Sequence, residues 1–276
     1  MKVSDTRVCV LVIEGTNCEE ESYLCFKRLG ARPEKVHLKQ LTGTDVTSDE
    51  RRSLSDYQLL VLPGGFSAGD YVRAGAIFAA RLRSRLSKDL TEFVREGKPI
   101  LGICNGFQIL VETGLLPAMS GTMSDVPEAV LGTNDSARFE CRPTLLKNVN
   151  NGNCVFTSRI PIGKISHIPS AHAEGKLMFP VDRAKGIVKE LEENDQIVFK
   201  YVDSDGRLAG YPWCPNGSTD NIAGVCNRDG NVFGMMPHPE RVFFRFTHPD
   251  WTRSPDGAGD GRAVFESVLA YISKKM

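Results

Sequence analysis

The chain has 276 residues, of which 41% are apolar, 25% charged and 8% aromatic, a composition that supports a sizeable core and excludes a disordered or fibrous protein. Its 34 Lys and Arg balance 34 Asp and Glu, so the formal net charge is zero and the field that gathers phosphate backbones is missing; nucleic acid is not an expected partner. No stretch approaches the ~18 apolar residues of a transmembrane helix, so no membrane is expected either.

The first half alternates strands with helices. Val8–Ile13 is a short apolar run, as in a strand covered on both faces. A helix is expected from Cys18 to Leu29, with Asn17 and Glu20 as cap and box, acids in its first turn, Lys27 and Arg28 in its last, and Gly30 as stop. Lys35–Leu38 reads as a second strand and Tyr57–Leu62 as a third, ended by Pro63-Gly64-Gly65. Helical patterns cover about Ala74–Leu86 and Asp89–Arg95; Pro99–Ile103 is a fourth strand, and Asn105–Thr113 a helix closed by Gly114. Such repeated units predict a parallel sheet with right-handed crossovers.

Beyond Gly114 the pattern changes to short strands, at Phe139–Arg142, Lys164–Ile168, Gln196–Val202, Asn221–Cys226 and Val232–Met236. Arg228-Asp229-Gly230 reads as the hairpin turn between the last two. A surface loop, Ser254–Gly261, leads into a final amphipathic helix, Ala263–Ser273. The expected architecture is α/β: one domain over residues 6–276, with a mostly parallel, doubly wound sheet and extra antiparallel strands in its C-terminal half.

The eight cysteines are scattered without a C-x-x-C pair, which excludes a zinc ribbon; Cys9 and Cys226 fall in apolar strands as small hydrophobes, as suits a reducing cytoplasm. H-E-x-x-H, EF-hand, Walker A and G-x-G-x-x-G patterns are absent, so neither a metal nor a phosphate loop is expected. The sequons at Asn134 and Asn216 read as chance matches.

The sharpest local feature is Gly102-Ile103-Cys104-Asn105-Gly106, between an apolar strand and a helix. A nucleophile at such a bend stands at the carboxyl edge of the sheet, flanking glycines relieve crowding, and the helix N-terminus favours thiolate and can hold an oxyanion. The bland alternative, a cysteine packed in the sheet, stays open on this motif alone. A nucleophilic cysteine needs a base. His238, in Met236-Pro237-His238-Pro239-Glu240, follows an apolar strand, and in an extended segment Glu240 would project on the same side to orient it. Alone this is more readily a capped turn; the two motifs together favour catalysis. His172 lies in a small-residue loop that suits a ligand or solvent equally, while His37, His167 and His248 read as structural or exposed. Gly64-Gly65 lets backbone N–H groups approach a ligand closely.

Taken together, Pro63-Gly64-Gly65, Gly102-Ile103-Cys104-Asn105-Gly106-Phe107-Gln108 and Pro237-His238-Pro239-Glu240 resemble the triad (class I) glutamine amidotransferases, whose fold is flavodoxin-like. Longer words, including Gly64-Gly65-Phe66-Ser67-Ala68-Gly69-Asp70-Tyr71, Arg138-Phe139-Glu140-Cys141-Arg142 and Ala171-His172-Ala173-Glu174-Gly175, look like the glutaminase components of phosphoribosylformylglycinamidine (FGAM) synthases of purine biosynthesis, over about Arg7 to Arg245. The resemblance implies Cys104 as nucleophile, His238 as base and Glu240 as its orienter. It implies backbone N–H groups at Gly65 and Asn105 as oxyanion hole, and Gln108, Ala137, Phe139 and His172 around the substrate L-glutamine. It also implies a large synthetase subunit and a small accessory subunit as partners, with ATP and Mg used there and no cofactor in this chain. Because the sequence begins at its first strand, a stand-alone subunit is expected. Ala68 stands where the family usually has Tyr, and Met119–Gly132 and Thr247–Arg262 look longer than in compact relatives. The alternatives are a glutaminase for another synthetase, a non-catalytic glutamine-binding subunit, and a cysteine peptidase of related fold. The last commonly has His directly after the cysteine, where Asn105 stands here.

Overall fold

The computed structural model describes residues 1–253 and 256–276. In chain order, β1 (Arg7–Val12) leads through α1 (Glu19–Arg28) to β2 (Arg32–His37) and a short α2 (Leu38–Thr42). Then come β3 (Leu59–Leu62), α3 (Ala76–Arg95), β4 (Ile100–Ile103) and α4 (Asn105–Glu112). The second half holds β5 (Val130–Gly132), β6 (Glu140–Asn148), β7 (Ile165–His172), β8 (Lys176–Met178) and α5 (Ala184–Glu193). It ends with β9 (Ile197–Val202), β10 (Ile222–Cys226), β11 (Val232–Met235) and α6 (Arg262–Lys275).

Among the described residues, nine strands form one sheet in the order β2-β1-β3-β4-β11-β10-β9-β6-β7, and β5 pairs with β8 apart from it. Neighbours from β2 to β11 run parallel, and those from β11 to β7 antiparallel. The chain steps one way from β1 to β2 and the other way from β3 to β4. Right-handed crossovers therefore put α1 and α3 on opposite faces, and the crevice between β1 and β3 is a topological switch point. Phe26 of α1 meets Phe265 of α6 edge to face on one side, and α3 packs along α4 on the other. With both faces covered, β1, β3, β4 and β11 are buried almost throughout, which is why they read as continuous apolar runs.

Several expectations are corrected. Helix α3 is continuous where two helices were expected, because Ser87 and Lys88 turn outward without breaking its apolar stripe of Leu82, Leu86, Leu90 and Phe93. The α1 cap is Cys18 rather than Asn17, and no side chain bonds the free N–H groups there. Strands β6 and β7 run through Pro143 and Pro169, each expected to end its strand. The two prolines face each other, β7 is the sheet edge, and β9 pairs with β6 only from Leu145 onward, so neither missing N–H breaks a ladder. Of the loop expected at 254–261, Ser254 and Pro255 lie outside the described residues. The Asn134 and Asn216 side chains are buried and bonded to backbone carbonyls, inaccessible as acceptors of a glycan.

Candidate active site

The site lies at the carboxyl ends of β3, β4 and β11. Cys104 follows β4 directly and caps α4 in a forced backbone conformation, φ +52° and ψ −106°. Its N–H donates to Met235 O at 2.8 Å, and its carbonyl accepts from Phe107 and Gln108 N–H. This bend demands the glycines around it. A Cβ on Gly106 would stand 1.9 Å from Leu62 O, and one on Gly102 would stand 2.6 Å from Gly106 O. The sequence thus lets α4 press onto β3 closely enough to hold the sulfur up at the sheet edge.

His238 follows β11, and its N–H donates to Pro169 O at 2.7 Å. The segment after it is a 3-10 turn, Pro239–Val242, rather than the extended stretch expected from the sequence. The turn still brings Glu240 Oε1 to 2.5 Å from His238 Nδ1, with both side chains essentially excluded from solvent. Because Nδ1 faces a carboxylate, it carries the proton and leaves Nε2 for chemistry. Burial opposes a charge on the imidazole, but the carboxylate of Glu240 and then the Cys104 sulfur outweigh it, and its pKa is raised well above the usual value. Gly64 fits between these groups: a Cβ there would lie 2.8 Å from His238 Cε1 and 3.4 Å from Cys104 Cβ.

A cavity of about 200 Å³ joins these residues, walled by Cys104, His238, Gly65, Gln108, Phe139 and His172. Gly65 has φ +145° and is packed against the Gly15–Asn17 turn. Asn105 opens α4, so its N–H belongs to the unbonded first turn; its side chain accepts from Ser67 N–H and donates to Gln108 Oε1. Gln108 in turn donates to Glu174 O at 2.6 Å, tying α4 to the loop after β7. Phe139 lies at the mouth, half exposed, its ring 6.3 Å from Phe66. Ala137, one of the expected substrate contacts, is exposed and outside the cavity wall.

Further residues of the wall were not assigned to the site by the sequence reading, among them Cys18, Asp70, Glu174 and Arg241. Cys18 accepts from Arg241 Nη2 at 3.4 Å, beside the histidine. The signal for Asp70 and Glu174 was present inside the motif words, where nothing distinguished them from ordinary loop charges. Of the other histidines, His37 caps α2, and His167 and His248 stack on each other.

A bent cysteine at a helix N-terminus and a buried imidazole–carboxylate pair on one cavity can form and hydrolyse an acyl thioester. Known proteins agree with this chemistry. Residues 5–272 match the CobB/CobQ-like glutamine amidotransferase domain. The phosphoribosylformylglycinamidine synthase subunit PurQ of Archaeoglobus fulgidus is 51% identical over 99% of this chain and 100% of its own length. That of Picrophilus torridus is 45% identical over 94% of this chain and 96% of its own. Among solved structures, a chain of PurLQS from Thermotoga maritima is 35% identical, with a TM-score of 0.71 over 97% of this chain and 99% of that one. The chain belongs to the glutamine amidotransferases, in the family of the phosphoribosylformylglycinamidine synthase PurQ subunits.

Proposed function

We propose that this chain is the glutaminase subunit of an FGAM synthase. It hydrolyses L-glutamine and supplies ammonia for the ATP-dependent conversion of formylglycinamide ribonucleotide to formylglycinamidine ribonucleotide. The observation that carries this reading is the buried His238–Glu240 pair sharing one cavity with the forced Cys104 bend, in a chain 51% identical to a PurQ subunit. The Cys104 sulfur attacks the side-chain carboxamide carbon. His238, held by Glu240, gives its proton to the departing ammonia, then takes one from the water that releases glutamate from the thioester. N–H groups of Gly65 and Asn105 stabilise the oxyanion; removing one such donor typically costs ~10²–10³ in rate. Gln108, Phe139 and His172 surround the substrate.

Residues 6–276 act as one amidotransferase domain, supported by a sheet that draws strands from both halves of the chain. The partners are a large synthetase subunit and a small accessory subunit. ATP and Mg act in the synthetase, and this chain's own step uses no cofactor. No helix among the described residues is long and apolar enough to cross a membrane, and the cytoplasm is the proposed location. The test is Cys104→Ala in the assembled complex. Glutamine-dependent product formation is expected to vanish while added ammonia still supports it; full glutamine-dependent turnover by the variant would sink the assignment.

A further inference from the structure

Three side chains close over Gly64, and one of them, Cys18, has no part in the reaction described above. A Cβ at Gly64 would meet His238 Cε1 at 2.8 Å, Cys18 Sγ at 3.3 Å and Cys104 Cβ at 3.4 Å. Cys18 caps α1 and Cys104 caps α4, so the starts of two helices bring two sulfurs to one imidazole. Cys18 Sγ, a ring nitrogen of His238 and a carboxylate oxygen of Glu240 lie within 4.8 Å of one another. Cys18, Cys104 and His238 are all buried, and all line the cavity.

The imidazole is oriented as a metal ligand is. Glu240 Oε1 holds Nδ1 at 2.5 Å, and among the described residues Nε2 is buried without a hydrogen-bond partner. A carboxylate on one ring nitrogen, with the other left open, is the arrangement of zinc-binding histidines. The sulfurs are held only by weak contacts. The Cys18 thiol donates to Asn17 Oδ1 and the Cys104 thiol to Ala171 O, each at 3.6 Å. Arg241 Nη2 donates to Cys18 Sγ at 3.4 Å and stays as the outer partner of a coordinated thiolate. Two thiolates and a neutral imidazole cancel the charge of a divalent cation, which suits a site so closed to water. We propose that Cys18, Cys104 and His238 form an inhibitory site for a thiophilic divalent cation such as zinc, with the fourth position open to the cavity. Binding releases the two thiol protons, and any proton on Nε2, to solvent. It occupies the nucleophile and the base together, so glutamine hydrolysis stops. Mg²⁺ seeks oxygen ligands and does not compete for this donor set. The inhibition rests on the amidotransferase reading; the cation site does not.

The test uses the complex with the synthetase and accessory subunits, and zinc as the probe. Zinc is expected to stop glutamine-dependent product formation while ammonia-dependent formation continues, and a chelator should restore the first. In Cys18→Ala the zinc concentration for half-inhibition, read against that variant's own uninhibited rate, should rise at least ~100-fold. In Cys141→Ala, which removes the exposed cysteine of the cavity wall, it should not move. Cobalt(II) supplies a second measurement that needs no activity. The full chain should show a sulfur-to-cobalt charge-transfer band, and lose it in Cys18→Ala and in Cys104→Ala. Wild-type zinc sensitivity in Cys18→Ala, a shift in Cys141→Ala instead, or a wild-type chain without the band overturns the site. A band in a chain whose metal-free complex uses ammonia but hydrolyses no glutamine overturns the amidotransferase reading and leaves the cation site standing.

Discussion

Around Cys104, single atoms decide what the site can do. The imidazole of His238 is fully buried, which disfavours its charge, yet the Glu240 carboxylate and the Cys104 sulfur raise its pKa well above the usual value. A charged ring is a ready proton donor to departing ammonia, and that charge is lost only when pH rises past the raised pKa. In Glu240→Gln the pKa falls, so the charged ring disappears at lower pH. The alkaline limb of the kcat/KM–pH profile is expected to move to lower pH, with neutral activity down about 10²-fold. An unchanged profile would mean that the carboxylate does not set the charge on the ring. The space at Gly64 is equally tight. In Gly64→Ala the new methyl would lie 2.8 Å from His238 Cε1, and the ring must shift. A displacement approaching 1 Å costs on the order of 10² in rate, so glutamine-dependent turnover should fall by about that factor while ammonia-dependent turnover survives.

At the scale of elements, the contact of α4 with β3 positions Cys104. It depends on Gly106, whose Cβ would stand 1.9 Å from Leu62 O and 2.7 Å from Leu62 C. Those are backbone atoms of a central strand and cannot swing aside. Gly106→Ala is therefore expected to cost about 3 kcal/mol by chemical denaturation, along with glutaminase activity; unfolding at the wild-type denaturant midpoint would contradict the packing. This element was legible in the sequence because a tight bend between an apolar strand and a helix leaves glycines at fixed places. The buried parallel strands were legible for a similar reason, since covering both faces leaves unbroken apolar runs. Helix α5 was missed because Gly186 interrupts a short pattern in which only Leu191 is buried. Strands β5 and β8 have three residues each, too few to show a period. The turn at Pro239–Val242 was misread as extended, yet it delivers the same Glu240–His238 contact, because a side-chain pair two residues apart can meet in either conformation. Asp70 and Glu174 face one another only after a hundred intervening residues have folded, and no local spacing announces that.

For the whole molecule, the apolar rim of the cavity points to where a partner sits. Phe66 is 48% exposed, Tyr71 89%, Val72 70% and Phe139 50%. Phe66 meets Phe139 at the mouth and Tyr71 and Val72 follow on the same loop; large apolar side chains exposed together are the mark of a surface covered in an assembly, whereas a single one such as Val181, 97% exposed, is ordinary. Replacing Tyr71 and Val72 together by Ser should weaken binding to the synthetase subunit by about 10-fold or more, and Val181→Ser should leave it unchanged. Equal affinities for the two variants would place the docking surface elsewhere. The same loop also carries Gly65 and Asp70. It holds positive φ at Gly65, Ala68, Gly69 and Asp70 and is anchored to the turn after β1 by Phe66 N–H to Gly15 O and Ala68 N–H to Glu14 O. A partner that clamps the rim would therefore also fix Gly65, the proposed oxyanion donor, and so couple docking to turnover. If the free chain has the competent loop only as a minor conformer, an activation of about 100-fold needs ~2.7 kcal/mol of preferential binding to it, well within reach of a few buried apolar contacts. The coupling is read by measuring glutaminase kcat/KM of the chain alone and with synthetase, accessory subunit and nucleotide. The ratio should collapse in the Tyr71 and Val72 double variant at partner concentrations that saturate the wild type, and equal kcat/KM with and without partners would refute activation by docking.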